Sequence, residues 1–203
     1  MFKSMKSLTI IVMLCLIWPA LSRAEVTVGS PAPDFTAMDS RQQTRRLSDY
    51  KGKYVVLEWF NPQCPFVKKH YNTGNMQSLQ EKYTAQDVVW LSIDSSAEGN
   101  QGYLSADEAN QFIAQRNSKA TAVLLDASGE VGRLYGAQTT PHMFIIDPQG
   151  VLVYQGAIDD MPSTDEEDVA LAKNYVDQAL SAVLAGQLVS AFATKSYGCS
   201  VKY

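Results

Sequence analysis

The sequence predicts a single α/β domain built on a central mixed β-sheet with helices on both faces. Three observations carry this reading. Short runs of β-branched and aromatic residues alternate along the chain with longer segments of helix-forming character, the order that produces layered α/β folds. Late in the chain a Pro–Gly turn joins two apolar runs into a hairpin, which adds an antiparallel pair to strands otherwise separated by helices. Finally, 203 residues can bury one ordinary core without staples.

Taken in order, residues 54–60 (Tyr-Val-Val-Leu-Glu-Trp-Phe) are short, β-branched and aromatic, and they stop at Asn61-Pro62; this is a buried strand. Residues 65–83 read as helix, interrupted near Thr73-Gly74-Asn75. Residues 87–93 form a second strand. Residues 106–116 form a second helix, favoured by Asp107 and Glu108 in its first turn. A third strand follows at 122–125. Residues 143–146 and 151–155 flank the turn Asp147-Pro148-Gln149-Gly150. Residues 166–185 close the domain as one amphipathic helix, with Gly186 as its terminator. Residues 187–203 read as a tail without periodicity.

The ends of the chain bear on location. Lys3 and Lys6 precede an apolar run over residues 8–21, and Ser22-Arg23-Ala24 places small residues where a signal peptidase reads. Residues 1–24 are expected to be a secretory signal peptide cleaved after Ala24. The run is shorter than the ~20 apolar residues of a bilayer crossing, so no stable membrane anchor is expected after cleavage. Cys15 lies inside the leader behind Leu14, not behind the small residue of a lipoprotein site. The expected domain therefore covers residues 25–186, and two cysteines remain, Cys64 and Cys199. Such a leader points to the bacterial periplasm, an oxidising compartment. A net charge of −4, with no Lys/Arg cluster after the leader, argues against nucleic acid as a partner.

Cys64 sits where a buried strand has ended and a helix is about to begin. Pro65 takes the first helical position, where a missing N–H costs nothing. A thiol there faces unpaired backbone N–H groups and the positive end of the helix dipole, both of which favour the thiolate. The competing reading is a buried structural cysteine.

At these residues the sequence resembles the thioredoxin-like superfamily, and within it the alkyl hydroperoxide reductase/thiol-specific antioxidant (redoxin, peroxiredoxin-like) family. The resemblance spans residues 28–184 and rests on three segments. Val55-Val56-Leu57-Glu58-Trp59-Phe60-Asn61-Pro62-Gln63-Cys64-Pro65 is similar to the family's strand, turn and nucleophilic cysteine. Thr139-Thr140-Pro141-His142-Met143-Phe144-Ile145-Ile146-Asp147 resembles the segment whose cis-proline faces that cysteine. Ser30-Pro31-Ala32-Pro33-Asp34-Phe35 resembles the amino-terminal redoxin signature. The resemblance implies a thioredoxin-like fold, Cys64 as attacking cysteine, Pro141 as the cis-proline and Thr140 as the residue whose backbone pairs with a substrate chain. It also implies Glu58 as a buried acid that relays protons, a role that a raised carboxyl pKa suits; the alternative is an edge residue paired with a lysine.

Two departures restrict the chemistry. Val67 stands where a thioredoxin has its second cysteine, so no disulfide closes within the motif. Asn61 stands where peroxiredoxins place the Thr or Ser that holds peroxide. Cys199, in Tyr197-Gly198-Cys199-Ser200, has three open readings: a resolving cysteine that attacks a sulfenic acid on Cys64, a structural cysteine in a stable disulfide, or a free thiol. The tail is long enough to return along a closing helix. His142, next to Pro141, is a candidate to polarise substrate, to tune the thiolate or, with Cys64, to bind copper; a surface or hydrogen-bonding histidine is the alternative. His70, six residues into the helix, is expected to point away from Cys64. Asp159-Asp160 and the run Asp165-Glu166-Glu167-Asp168 suit a solvated helix start better than a metal site.

The expected function is a periplasmic thiol-dependent antioxidant oxidoreductase that needs no cofactor. Cys64 attacks a peroxide or an oxidised thiol, and Cys199 or a periplasmic thiol reductant protein restores it. Two alternatives stand beside it: a non-catalytic thioredoxin-like binding module for a protein partner or copper, and a structural domain with one disulfide.

Overall fold

A computed structural model of the chain describes residues 26–187 and 192–203; the leader read at residues 1–24 lies outside them. Ten strands and five α-helices follow in the order β1 (Thr36–Asp39), β2 (Thr44–Arg46), β3 (Val55–Trp59), α1 (Pro65–Asn72), α2 (Asn75–Thr84), β4 (Val89–Asp94), α3 (Ala106–Arg116), β5 (Ala122–Leu125), α4 (Glu130–Tyr135), β6 (Thr139–Thr140), β7 (His142–Ile146), β8 (Leu152–Gly156), α5 (Tyr175–Leu184), β9 (Phe192–Ala193) and β10 (Cys199–Ser200). Eight strands form one sheet in the order β2-β1-β5-β4-β3-β7-β8-β9, and β10 pairs with β6 in a separate two-stranded ladder. The pairs β3–β4 and β4–β5 are parallel, whereas β3–β7 and β7–β8 are antiparallel. The predicted mixed sheet is therefore present.

Strand alternation divides the core. Val56 of β3 and Phe60 just after it belong to a cluster that includes Cys64 and residues of α1, α2 and α5. Val55, Leu57 and Trp59 face the other side, against Val131 and Tyr135 of α4 and the amino-terminal segment. The second face is also tied by hydrogen bonds: Trp59 Nε1 donates to Ser95 Oγ at 3.0 Å, which donates to Asp126 Oδ2 at 2.6 Å. This pins the loop after β4 against α4.

Several elements follow local chemistry closely. The helix read at 65–83 is two helices, broken at Gly74, whose φ of +75° is a left-handed conformation that glycine adopts without a side-chain penalty. Helix α3 begins at a capping box in which Ser105 and Glu108 satisfy each other's backbone N–H groups. The closing helix is shorter than the sequence suggested. Residues Glu167–Ala170 form only a 3-10 turn, and α5 starts at Tyr175 because the Asn174 side chain caps it, accepting from Asp177 N at 2.8 Å. The acidic run therefore leads into the first half of the 3-10 turn and does not start the main helix. The tail, read as lacking periodicity, contributes β9 and β10.

Glu58 of β3 is fully buried between these elements. Its Oε1 accepts from Tyr71 Oη at 2.8 Å, and its Oε2 accepts from Trp90 Nε1 at 2.7 Å, Ser92 Oγ at 2.8 Å and Gln80 Nε2 at 3.2 Å. Burial pushes its carboxyl above the usual carboxylate range against the opposing pull of those four donors. Glu58→Gln puts an NH2 group where one oxygen accepts, leaving at least one buried donor unpaired. Urea denaturation is expected to show a loss of about 1–3 kcal/mol; an unchanged midpoint would mean that the network contributes nothing.

Candidate active site

The site is assembled from the turn after β3. Asn61 organises it: its Oδ1 accepts from Gln63 N at 2.8 Å, its Nδ2 donates to Gln101 O at 2.9 Å, and its backbone oxygen accepts from Cys64 N at 3.1 Å. Cys64 is the extended N-cap residue of α1, with Pro65 in the first turn. Its sulfur consequently stands at a helix start, where N–H groups lack intrahelical partners. Cys64 is fully buried.

Opposite Cys64 lies the segment of β6. The Thr140–Pro141 peptide bond is cis, and the Cys64 thiol donates to the Thr140 carbonyl at 3.1 Å. The Thr140 hydroxyl is buried without a hydrogen-bond partner among the described residues, leaving it free to donate to the sulfur once that is ionised. Strand β10 runs antiparallel to β6 with Cys199 opposite Thr140 and Ser200 opposite Thr139. The tail thus carries the second cysteine onto the first. Gly198 makes this approach possible: its φ is +132°, and a Cβ there would overlap the Thr140 carbonyl. No disulfide joins the two cysteines.

The two thiols are electrostatically unequal. Burial pushes Cys64 up, but the polar groups near its sulfur, the Cys199 and Thr140 side chains and the Val67 and Cys199 backbone N–H groups, outweigh it and hold Cys64 below an ordinary thiol. Cys199 is pushed up to about 11 by burial and by the neighbouring Cys64 sulfur. One sulfur is prepared as a thiolate while its neighbour stays protonated, the division needed between a nucleophile and the thiol that later resolves it.

The other residues singled out from sequence fall in different places. Glu58 is buried on β3, but its hydrogen bonds run to Tyr71, Gln80, Trp90 and Ser92 and not to Cys64. The Asn61 amide is committed to the turn and to Gln101. His142 pairs across β7 with Trp59, and its ring packs against Phe144 with centroids 4.5 Å apart, on the sheet face opposite Cys64. Burial lowers its pKa to about 4. His70 is buried near Asp159 and Tyr197. Val67 is buried beneath Cys64. What the sequence did not reveal is the pairing of Cys199 with Thr140 and the close approach of Gly198 to the Thr140 carbonyl; a glycine directly before a cysteine was the one signal of close backbone approach.

A thiol at a helix start, facing a cis-proline segment on a mixed sheet, defines a thioredoxin-like thiol protein. The family model described as the AhpC/TSA family matches residues 28–155, and the chain belongs to that family. It is 27% identical over 135 residues to the thiol-disulfide oxidoreductase ResA of Bacillus thuringiensis, covering 64% of this chain and 70% of that one. It is 28% identical over 165 residues to peroxiredoxin-2 of Cricetulus griseus, covering 74% and 81%. A solved structure of an uncharacterized conserved protein from Geobacillus kaustophilus superposes with a TM-score of 0.73 at 26% identity, covering 89% of this chain and 94% of that one. No helix among the described residues is long and apolar enough to cross a membrane.

The unequal thiols predict unequal alkylation. Cys64 should reach its half-maximal rate with iodoacetamide below pH ~8.5, the ordinary cysteine value, and Cys199 only near pH 11. Cys199→Ala should move the Cys64 midpoint upward, because it removes the neighbouring S–H donor. Coincident midpoints for the two sulfurs would contradict this assignment.

Proposed function

We propose that the protein is a thiol-dependent antioxidant oxidoreductase in which Cys64 attacks an oxidised substrate and Cys199 resolves the product. One observation carries the reading: β10 pairs with β6 so that Cys199 lies opposite Thr140, the residue whose carbonyl accepts from the Cys64 thiol, which makes the two cysteines neighbours. Of the three roles open for Cys199, this contact supports the resolving one. The family membership and the likeness to a thiol-disulfide oxidoreductase support the same class.

With a hydroperoxide, the Cys64 thiolate attacks the distal oxygen, the O–O bond breaks, Cys64 becomes a sulfenic acid, and the departing alkoxide or hydroxide takes a proton from solvent. The Cys199 sulfur then attacks the Cys64 sulfur. The S–OH bond breaks, the departing hydroxide takes the Cys199 proton to leave as water, and a Cys64–Cys199 disulfide remains. With a disulfide substrate, the thiolate attacks one sulfur and releases the other as a thiolate. Cys199 then displaces the bound half, and the same internal disulfide results. Two electrons from an external dithiol restore the pair in either case. Thr140 contributes through its hydroxyl, which is placed to donate to the thiolate, and through its carbonyl, which accepts from the resting thiol. One of the two Asn61 amide N–H bonds is committed to Gln101 O. The leader supports export, and in the periplasm the reductant would be a thiol protein of that compartment.

The test is turnover of hydrogen peroxide and of a glutathione mixed disulfide with dithiothreitol as reductant. Cys64→Ser should abolish both activities. Cys199→Ser should retain the first step but accumulate a sulfenic acid or a mixed disulfide on Cys64, visible by intact-mass spectrometry. Equal rates for wild type and Cys64→Ser on both substrates would end the proposal.

A further inference from the structure

With β10 in place Cys64 is fully buried, so a bulky substrate reaches the sulfur only when the tail moves. The contacts that hold the tail lie on both sides of Cys199. Before it, the Tyr197 ring rests on α1, the helix that Cys64 begins. The Phe66 ring lies edge-on with centroids 5.8 Å apart, and Lys69 Nζ stands 5.6 Å from the Tyr197 ring centre. The Tyr197 hydroxyl donates to Asp159 Oδ1 and lies 3.4 Å from His70 Nε2. Asn75 Nδ2 is 2.8 Å from His70 Nδ1; when that amide donates, Nε2 carries the ring proton and directs it at the Tyr197 oxygen. Asp159 and His70 are both buried, and the phenol adds a second donor to Asp159 Oδ1, which also accepts from Met161 N at 3.0 Å. Residues 66, 69 and 70 share one helix face by spacing, which ties the tail to the element that positions the nucleophile.

After Cys199, the Tyr203 ring lies over Arg133, with Cζ 4.5 Å from its centroid, and its hydroxyl donates to Ala137 O at 2.7 Å. Gly129 and Gly132 leave the space that this ring fills. Between ring and strand, Val201 N donates to Gln138 O at 3.0 Å, and Ala97 N donates to Lys202 O at 2.8 Å.

We propose that Tyr197 and Tyr203 are positioning residues that form a two-point latch, holding residues 198–200 closed over Cys64. The latch sets how often a bulky substrate finds Cys64 open, and how quickly Cys199 meets an oxidised Cys64. The second consequence rests on the resolving role proposed above; the first does not.

The test separates the two. In a Cys199→Ser background, alkylation of Cys64 by a bulky maleimide is followed at rising urea for the parent, Tyr197→Phe and Tyr203→Ala. Each latch variant is expected to react about tenfold faster, the effect of losing a hydrogen bond to a buried charged group or an equivalent aromatic contact. The gain should already be present without urea and stay flat at low urea, because local opening exposes little surface. Rates that match the parent would overturn the latch. So would acceleration seen only in step with global unfolding, which marks general destabilisation. In the protein with both cysteines, the same variants should slow formation of the Cys64–Cys199 disulfide after one equivalent of hydrogen peroxide. If the unsubstituted protein forms no such disulfide, the resolving role falls, while the alkylation rates still decide the latch.

Discussion

The pairing of β10 with β6 is the contact on which the site depends. Two residues of one strand meet two of the other, and hydrogen bonds of that kind contribute only about 1 kcal/mol each. That is too little to order a tail alone. The pairing holds because the chain on either side is fixed by the half-buried rings of Tyr197 and Tyr203 and by backbone hydrogen bonds, so the cost of ordering Cys199 is met elsewhere. Cys64 meanwhile stands at the start of α1, fixed by the Asn61 turn and Pro65. Two cysteines 135 residues apart in sequence become neighbours because a helix start and a strand end meet at Thr140.

Burial and chemistry oppose each other at Cys64. Removing a thiol from water disfavours its ionised form, and a sulfur buried only among apolar neighbours would be inert. Here polar groups lie close to it and favour the thiolate: the Val67 N–H at the helix start, the Cys199 thiol and N–H, and the Thr140 hydroxyl. Their joint effect exceeds the burial penalty at Cys64, whereas Cys199 has no comparable set and moves the other way. The arrangement divides the labour between the two sulfurs without a second cysteine in the helix motif. Position 67 is accordingly free to be a buried valine of the core.

Much of this architecture was legible in the sequence. The strands β3 and β5 and the helix α3 were found where their residues say they should be, because β-branched runs and an acidic first turn are local signals. The closing helix was misplaced, since an acidic run resembles a helix start while the actual cap is Asn174. Helix α4 escaped notice because it is six residues long and contains Gly132. Strands β9 and β10 have no sequence period to detect, being two residues each and held by backbone bonds. At the site, Cys64 and Pro141 were legible from a strand-to-helix junction and a family motif. His142 was a candidate partner of Cys64 from its adjacency to Pro141, with a hydrogen-bonding histidine as the alternative; alternation along β7 sends its ring to the opposite face with Phe144, where its Nδ1 accepts from Gln138 N. Cys199 was legible as a residue worth watching. Its position was not, because it is fixed by contacts far away in sequence.

The central claim, that Cys64 and Cys199 act as one redox pair, is tested most directly by equilibrating the protein with glutathione buffers of increasing oxidation and mapping the cysteines by peptide mass spectrometry. A single two-electron transition from two thiols to a Cys64–Cys199 disulfide, with little glutathione adduct at the midpoint, is the predicted result. Accumulation of separate glutathione adducts on both cysteines, without the internal disulfide, would contradict it.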